Sequence, residues 1–232
     1  MYQHVSPKEG EHILDIGSGP GMLAQSLAPS LGSSGLLLGI DISESMIISA
    51  KERCKEFTNL TFEIGDACNL KHPEGKLFDC VVSTQVYEYV SDIQKAFEEA
   101  YKILKPGGRF IILDTDFDST VWHSSNRKQM KKILKAYDEH LIHPHLPQNI
   151  IPFLKQAGFE NISTKVFCIC NTSLVDTYSF GLMSTIADYV VGRQGITTEQ
   201  ANDWKDDLIS LDNQGRYFFS LNRYLFIAYK KE

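Results

Sequence analysis

Five short apolar runs, each followed by a longer amphipathic stretch, constrain the fold of this chain most strongly. The runs are HILDI at 12–16, LLLGI at 36–40, LTFEI at 60–64, FDCVVS at 78–83 and RFIILD at 109–114. Runs that are apolar at nearly every position are typical of strands covered on both faces of a parallel sheet. Helices are predicted at 21–31, 44–57 and 92–104. This alternation predicts βαβ units with right-handed crossovers, and hence a doubly wound α/β sheet.

The second half of the chain has a different pattern. Strands are predicted at 160–169 and 223–230, and helices at 126–142, 147–158, 174–192 and 197–212. No linker rich in proline, glycine or serine separates the halves, and the sequence has no internal repeat. We therefore expect a single domain over 1–232, made of an α/β half at 12–114 and a second half at 115–232 with helical insertions at 117–158 and 171–222.

A glycine-rich turn joins the first predicted strand to the first helix. It reads Asp15-Ile16-Gly17-Ser18-Gly19-Pro20-Gly21. Glycine allows positive φ and a close approach of the backbone to a ligand, and the following helix presents free N–H groups and the positive end of its dipole. A turn that binds no cofactor is the alternative. A dinucleotide loop, G-x-G-x-x-G, needs glycine where this chain has Met22, which disfavours an NAD-dependent oxidoreductase.

The pattern G-x-G-x-G directly after Asp15 resembles motif I of class I S-adenosylmethionine-dependent methyltransferases. Asp15, Gly17, Gly19 and Gly21 fall on the positions of that motif. The resemblance implies a Rossmann-like sheet of seven mostly parallel strands in the order 3-2-1-4-5-7-6, with strand 7 antiparallel and helices on both faces. It also implies S-adenosyl-L-methionine as the cofactor and S-adenosyl-L-homocysteine as its product.

Further segments follow in the order that this family requires. Asp41 ends the second strand, where a carboxylate can accept both ribose hydroxyls or stabilise the start of the next helix. Gly65-Asp66-Ala67 resembles the adenine-contacting turn of the family, although Gly-Asp pairs also form plain turns. VVSTQVYEYVSD at 81–92 and LKPGGRFIILDTD at 104–116 resemble the ubiquinone/menaquinone-biosynthesis type of small-molecule methyltransferases. The implied cofactor-binding residues are Asp15, Gly17, Ser18, Gly19, Gly21, Asp41, Ile42, Met46, Gly65, Asp66, Ala67, Ser83 and Thr84.

Methyl transfer from a sulfonium is an in-line displacement, in which the protein mainly aligns the reactants and excludes water. A base is needed only when the acceptor must lose a proton. The candidates near the carboxyl ends of strands four and five are His123, Asp116 and Glu88. Each has a structural alternative: His123 packs beside Trp122, Asp116 belongs to a turn, and Glu88 is a solvated helix residue.

Substrate contacts are predicted at four positions, Tyr87, Trp122, Tyr217 and Arg223. Tyr87 and Trp122 follow strands four and five, and the other two belong to or follow the aromatic-rich segment 171–222. We expect that segment to lie over the strand ends and form the substrate pocket, with ordinary helix packing as the alternative.

Histidines and cysteines are weak metal candidates in this sequence. His140, His143 and His145 lack helical i, i+4 spacing, and no cysteine or acid pair adjoins them, so we expect no metal. Cys168 and Cys170 share one face of a predicted strand. Arsenite methyltransferases use several thiolates, but we expect these two to be buried strand cysteines.

The formal charge of −6 disfavours nucleic acid as a partner, because phosphate binding needs a basic surface. The segment after strand four, Ser83-Thr84-Gln85-Val86, also lacks an N-P-P-Y-type motif for macromolecular amino groups. No apolar run reaches the ~18 residues of a membrane span, and the start has no apolar signal region. Five scattered cysteines favour a reducing compartment. We expect a cytoplasmic monomer or homodimer.

The sequence therefore predicts methyl transfer to a small organic acceptor, with 12–114 binding the cofactor and 115–232 the substrate. A non-catalytic cofactor-binding or scaffold protein of the same fold is the main alternative. Only eleven residues precede the first predicted strand, whereas family members usually carry an N-terminal helical segment over the cofactor. We accordingly expect weaker retention of the cofactor than is usual.

Overall fold

The computed structural model describes residues 1–71 and 77–232, which form a seven-stranded sheet flanked by helices. The strands are β1 His12–Ile16, β2 Leu36–Asp41, β3 Leu60–Ile64, β4 Phe78–Thr84, β5 Leu104–Trp122, β6 Glu160–Asn171 and β7 Phe219–Tyr229. The helices are α1 Tyr2–Val5, α2 Met22–Leu31, α3 Glu44–Arg53, α4 Ile93–Ile103, α5 Arg127–Tyr137, α6 Ile150–Gln156, α7 Tyr178–Val190 and α8 Thr198–Asn213. The strand order is β3-β2-β1-β4-β5-β7-β6, with β7 antiparallel, as predicted.

The inner strands are buried on both faces, which explains their uniformly apolar sequences. Neighbouring residues of β1 enter different apolar clusters: Ile13 packs with the cluster that contains α2 and α3, and Leu14 with the one that contains α4 and α6. Successive strand residues point to opposite faces, so a strand covered on both faces needs an apolar residue at each position.

The parallel register brings the carboxyl ends of three strands to one level. Ile16 at the end of β1 pairs with Ile40 of β2 on one side and with Ser83 of β4 on the other. Ligand sites of open α/β sheets lie beyond these carboxyl ends. The turns after β1, β2 and β4 therefore face the same space.

Strands β5 and β7 differ most from their predicted bounds, and β6 ends at Asn171 instead of 169. β5 begins at Leu104 instead of 109 and continues through Trp122, so the predicted helical insertion at 117–158 begins as strand. β7 begins at Phe219 instead of 223. The two extensions meet beyond the predicted strand ends, where the amide of His123 donates to the carbonyl of Phe218. The prediction was wrong there because the acids Asp116 and Asp118 are poor strand formers, and long-range pairing overrides that local preference.

The described residues divide into two compact units, and each has its own core. One unit contains 1–114, 146–165 and 224–232, and the other contains 115–145 and 166–223. The core of the second unit is formed by α5, α7 and α8 around the fully buried Trp204, whose indole N–H donates to the sulfur of Met130 at 3.3 Å. The first boundary falls at Asp114, where the predicted halves meet. The single-domain expectation stays a prediction.

The cysteines of β6 differ from expectation. All five cysteines of the chain are free thiols in the described segments, but Cys168 and Cys170 are exposed, so the prediction that they are buried was wrong. β6 is the edge strand of the sheet, and most of its side chains are exposed. An edge strand has a neighbour on one side only, so its side chains receive less cover. In the part of the chain that the structure describes, no helix is long and apolar enough to span a membrane.

Candidate cofactor-binding site

The turn between β1 and α2 depends on glycine. Gly17, Gly19 and Gly21 all have positive φ, of 68°, 52° and 80°. A Cβ on Gly17 would lie 2.1 Å from Cγ2 of Val86, the second residue after β4, so no side chain fits there. Gly21 serves as the N-cap of α2, and a Cβ on it would crowd Ala50 of α3. The turn is thus held close to both the segment after β4 and the C-terminal half of α3.

Asp41, the last residue of β2, fixes the glycine turn from the other side. Its Oδ2 accepts the amide of Gly19 at 2.9 Å, and its Oδ1 accepts the amide of Ser43, the N-cap of α3, also at 2.9 Å. The helix-stabilising role considered for this residue is therefore present. A carboxylate has about four acceptor positions, so two remain for ligand hydroxyls.

The turn after β3 adjoins the same carboxylate. The amide of Gly65 donates to the carbonyl of Asp41 at 3.1 Å. The side chain of Asp66 accepts the amide of Cys68 at 2.8 Å, which is an Asx turn. The plain-turn alternative and a binding role are thus compatible, because Gly65, Asp66 and Ala67 also line the cavity beside Asp41.

These turns enclose a cavity of about 750 Å³. Nine of the thirteen residues predicted to bind the cofactor line it: Gly17, Gly19, Asp41, Ile42, Met46, Gly65, Asp66, Ala67 and Thr84. The other four, Asp15, Ser18, Gly21 and Ser83, are not among the lining residues. The volume of the cavity lies within the range of about 300–1,000 Å³ that is typical of small-molecule sites.

Sequence reasoning missed several lining residues. They are Ile16, Ile40, Cys68, Gln85, Val86, Tyr89, Val90, Ser91, Asp92 and Lys95. Ile16 and Ile40 could have been found from their place at the carboxyl ends of adjacent strands. Gln85 has a φ of 55°, a left-handed conformation that non-glycine residues rarely adopt and that is concentrated at functional sites. Residues 89–92 belong to the segment whose family resemblance is described above, but that resemblance assigned no individual contact to them or to Lys95.

Buried polar groups lie at the strand ends beneath the cavity. Asp15 is 2% exposed, and burial, with the nearby charge of Asp41, raises its pKa to about 8. Among the described residues, the hydroxyls of Ser18, Ser83 and Thr84 make no hydrogen bond, nor does Oδ2 of Asp15. Buried polar atoms normally have partners. Of these four residues only Thr84 lines the cavity, so its hydroxyl is the one that faces a ligand bound there.

The three base candidates have distinct environments. Glu88 lies in a short 3₁₀ helix and is 1% exposed, so it is not the solvated residue of the alternative. Asp116 is buried within the extended β5, and its Oδ1 lies 4.0 Å from Nδ1 of His145. Nδ1 of His123 lies 2.7 Å from the carbonyl oxygen of Arg216 and donates a hydrogen bond to it. That any of these three residues acts as a general base stays a prediction.

The predicted substrate residues are largely packed against aromatic neighbours. Tyr87 is fully buried and makes an edge contact with Phe97, at 4.9 Å between ring centroids. Trp122 packs against Phe219 at 4.7 Å. The other two lie nearby in the sequence: Tyr217 is buried, which raises its pKa to about 12, and the Arg223 guanidinium lies 4.8 Å above the ring of Tyr178. Their role toward a substrate stays a prediction.

The strand order, the glycine turn after β1 and the acid at the end of β2 together define a class I S-adenosylmethionine-dependent methyltransferase. Residues 7–158 match the family described as "Methyltransferase domain", and the chain belongs to this family. Family membership favours methyl transfer over the nicotinamide alternative.

The curated relatives carry related names. The chain is 35% identical over 170 residues to a demethylmenaquinone methyltransferase of Tropheryma whipplei, covering 67% of this chain and 69% of the relative. Two other curated relatives are matched over only 34% and 43% of their own length.

Solved structures share the fold over nearly the whole chain. The YcgJ protein of Bacillus subtilis superimposes with a TM-score of 0.68 at 18% identity, over 100% of this chain and 97% of that protein. Phosphoethanolamine N-methyltransferase 2 of Haemonchus contortus, solved with S-adenosyl-L-methionine, superimposes with a TM-score of 0.61 at 22% identity, over 99% of this chain and 51% of that protein.

Proposed function

We propose that this protein transfers the methyl group of S-adenosylmethionine to a small organic acceptor. The observation that carries the proposal is the position of Asp41, held between the amides of Gly19 and Ser43 at the wall of the cavity. Asp41 has acceptor capacity for the two ribose hydroxyls, and its two backbone contacts fix the carboxylate before a ligand arrives. Such preorganisation lowers the entropy cost of binding.

The residues around Asp41 would contact the other parts of the cofactor. Backbone groups of the glycine turn approach the ligand closely because Gly17 and Gly19 carry no side chain. Ile42 and Met46 supply apolar surface, and the turn at 65–67 offers backbone groups for a heterocyclic base. S-adenosylmethionine, when bound, supplies an electrophilic methyl on a sulfonium. The chain contributes alignment and exclusion of water.

A small acceptor is supported by charge and by the relatives. The formal charge of −6 does not suit a nucleic-acid acceptor. The named relatives are a demethylmenaquinone methyltransferase and a phosphoethanolamine N-methyltransferase, and both names denote small acceptors. Only the second name specifies the methylated atom, a nitrogen, so the proposal includes carbon, oxygen and nitrogen acceptors.

Replacing Asp41 tests the proposal directly. In Asp41→Asn we expect about 10- to 100-fold weaker binding of S-adenosylhomocysteine, because hydrogen bonds to a charged acceptor contribute about 1.5–3 kcal/mol. Isothermal titration calorimetry measures the affinity. Glu44→Gln is the matched control, since it removes an exposed acid from the first turn of α3 without touching the cavity lining. Thermal unfolding without ligand checks that both variants are folded. Equal affinity in Asp41→Asn and the wild type would overturn the ribose assignment.

A further inference from the structure

Two carboxylates and an imidazole meet outside the cofactor cavity. Nδ1 of His145 lies 3.0 Å from Oδ2 of Asp118 and 4.0 Å from Oδ1 of Asp116. One ligand atom from each of these three residues lies within 4.8 Å of the others. Ligand bonds of about 2.0–2.2 Å allow at most about 4.4 Å between two ligand atoms of one ion, so the three side chains need to move inward only slightly to share an ion. The three side chains all belong to the second compact unit.

The extension of β5 builds this cluster. Asp116 and Asp118 are two residues apart in an extended strand, so they lie on the same face. Between them, the amide of Phe117 donates to the carbonyl of Pro144 at 3.3 Å, and this bond places His145 beside the two acids. The sequence did not indicate the arrangement, because the acid pair lies 27 positions or more from the histidine and joins it only through long-range pairing.

The environment of His145 favours a role as a metal ligand over a simple ion pair with Asp118. Its Nδ1 atom is buried, although the side chain is 40% exposed, and its contact with Oδ2 of Asp118 at 3.0 Å is an ion pair without the geometry of a hydrogen bond. A buried nitrogen without a hydrogen bond, surrounded by acids, is the environment that a cation completes.

We propose that Asp116, Asp118 and His145 bind a divalent first-row transition metal ion, of which Mn²⁺ is the practical probe. Two carboxylate oxygens and one imidazole nitrogen, with no thiolate, suit Mn²⁺, Fe²⁺ or Zn²⁺ better than Ca²⁺ or Mg²⁺, which prefer all-oxygen sites. Three protein ligands leave coordination positions open, and Asp118 and His145 are partly exposed, so the ion is reachable from solvent. Of the three clustered histidines in the sequence, only His145 takes part: the ring of His140 stacks on Tyr137.

Electron paramagnetic resonance of Mn²⁺ tests the site on the full chain after chelator treatment. We expect one equivalent of bound Mn²⁺, an echo modulation from a coordinated ¹⁴N, and a higher thermal midpoint, because the ion binds the folded state. His145→Gln should abolish the nitrogen signal, and Asp118→Asn should weaken binding about tenfold or more. Both positions are partly exposed, so these variants should fold.

His143→Gln is the matched control, because it removes a neighbouring histidine outside the cluster. It should leave stoichiometry, affinity and nitrogen signal unchanged. Absence of stoichiometric Mn²⁺ binding, or binding that persists equally in His145→Gln and Asp118→Asn, would overturn the proposal and leave an ion pair between His145 and Asp118. None of these measurements depends on S-adenosylmethionine, so they stand apart from the test of the methyltransferase function.

Discussion

At the scale of single residues, the two acids near the glycine turn, Asp15 and Asp41, have separate roles. Asp41 is partly exposed and tied to two amides, whereas Asp15 lies beneath the cavity and is almost fully buried. Burial disfavours the charged form, and the neighbouring charge of Asp41 acts in the same direction, so the pKa of Asp15 is raised to about 8. Asp15 is therefore protonated near neutrality.

This raised pKa predicts how stability depends on pH. Between the ordinary value near 4 and about 8, the folded state keeps a proton that the unfolded state has lost, so the wild type loses stability as pH rises through this range. Asp15→Asn, which cannot ionise, should be more stable than the wild type at pH 9, by on the order of a few kcal/mol, and should gain little at pH 4. Urea unfolding at both pH values measures the difference. The same change at exposed Asp176 is the control, and a gain for Asp15→Asn that is equal at both pH values would contradict this account.

At the scale of elements, the β1–α2 turn is the most sequence-sensitive connection. Gly17 has a φ of 68° and its missing Cβ leaves room for Val86, whereas Gly192 has a φ of 82° with open space around it. Alanine at either position would carry the backbone strain of a left-handed residue, about 1–2 kcal/mol, but only alanine at position 17 would also clash with a neighbour.

Alanine substitution separates the two effects. Gly17→Ala should lower the thermal midpoint more than Gly192→Ala, and it alone should weaken binding of S-adenosylhomocysteine, because relief of the clash displaces the turn or the segment after β4. Differential scanning fluorimetry and calorimetric titration measure the two quantities. Equal behaviour of the two variants in both measurements would show that the close approach to Val86 has no consequence.

The elements also show where sequence reasoning succeeds. β1 to β4 were predicted to within a residue, because strands buried on both faces carry uniform apolar runs. The glycine turn and Asp41 were predicted because their chemistry depends on residue type at fixed spacing. The ends of β5 and β7, the exposure of Cys168 and Cys170, and the meeting of Asp116 with His145 depend on strand pairing between distant segments, which leaves no local pattern.

At the scale of the whole molecule, the two compact units contain different sites. The unit that contains 1–114 holds the cavity, its glycine turn and the acid at the end of β2. The unit that contains 115–145 and 166–223 has its own aromatic core and the proposed metal site. The methyltransferase domain match ends at residue 158, so most of the second unit lies beyond it.

The central claim is that the cavity beside Asp41 binds S-adenosylmethionine. Isothermal titration of the wild-type chain with S-adenosylhomocysteine tests it most directly, with S-adenosylmethionine as competitor and NAD as the comparison ligand. We predict one equivalent of S-adenosylhomocysteine per chain, displacement by S-adenosylmethionine, and no heat of binding from NAD. Binding of NAD without binding of S-adenosylhomocysteine would contradict the account.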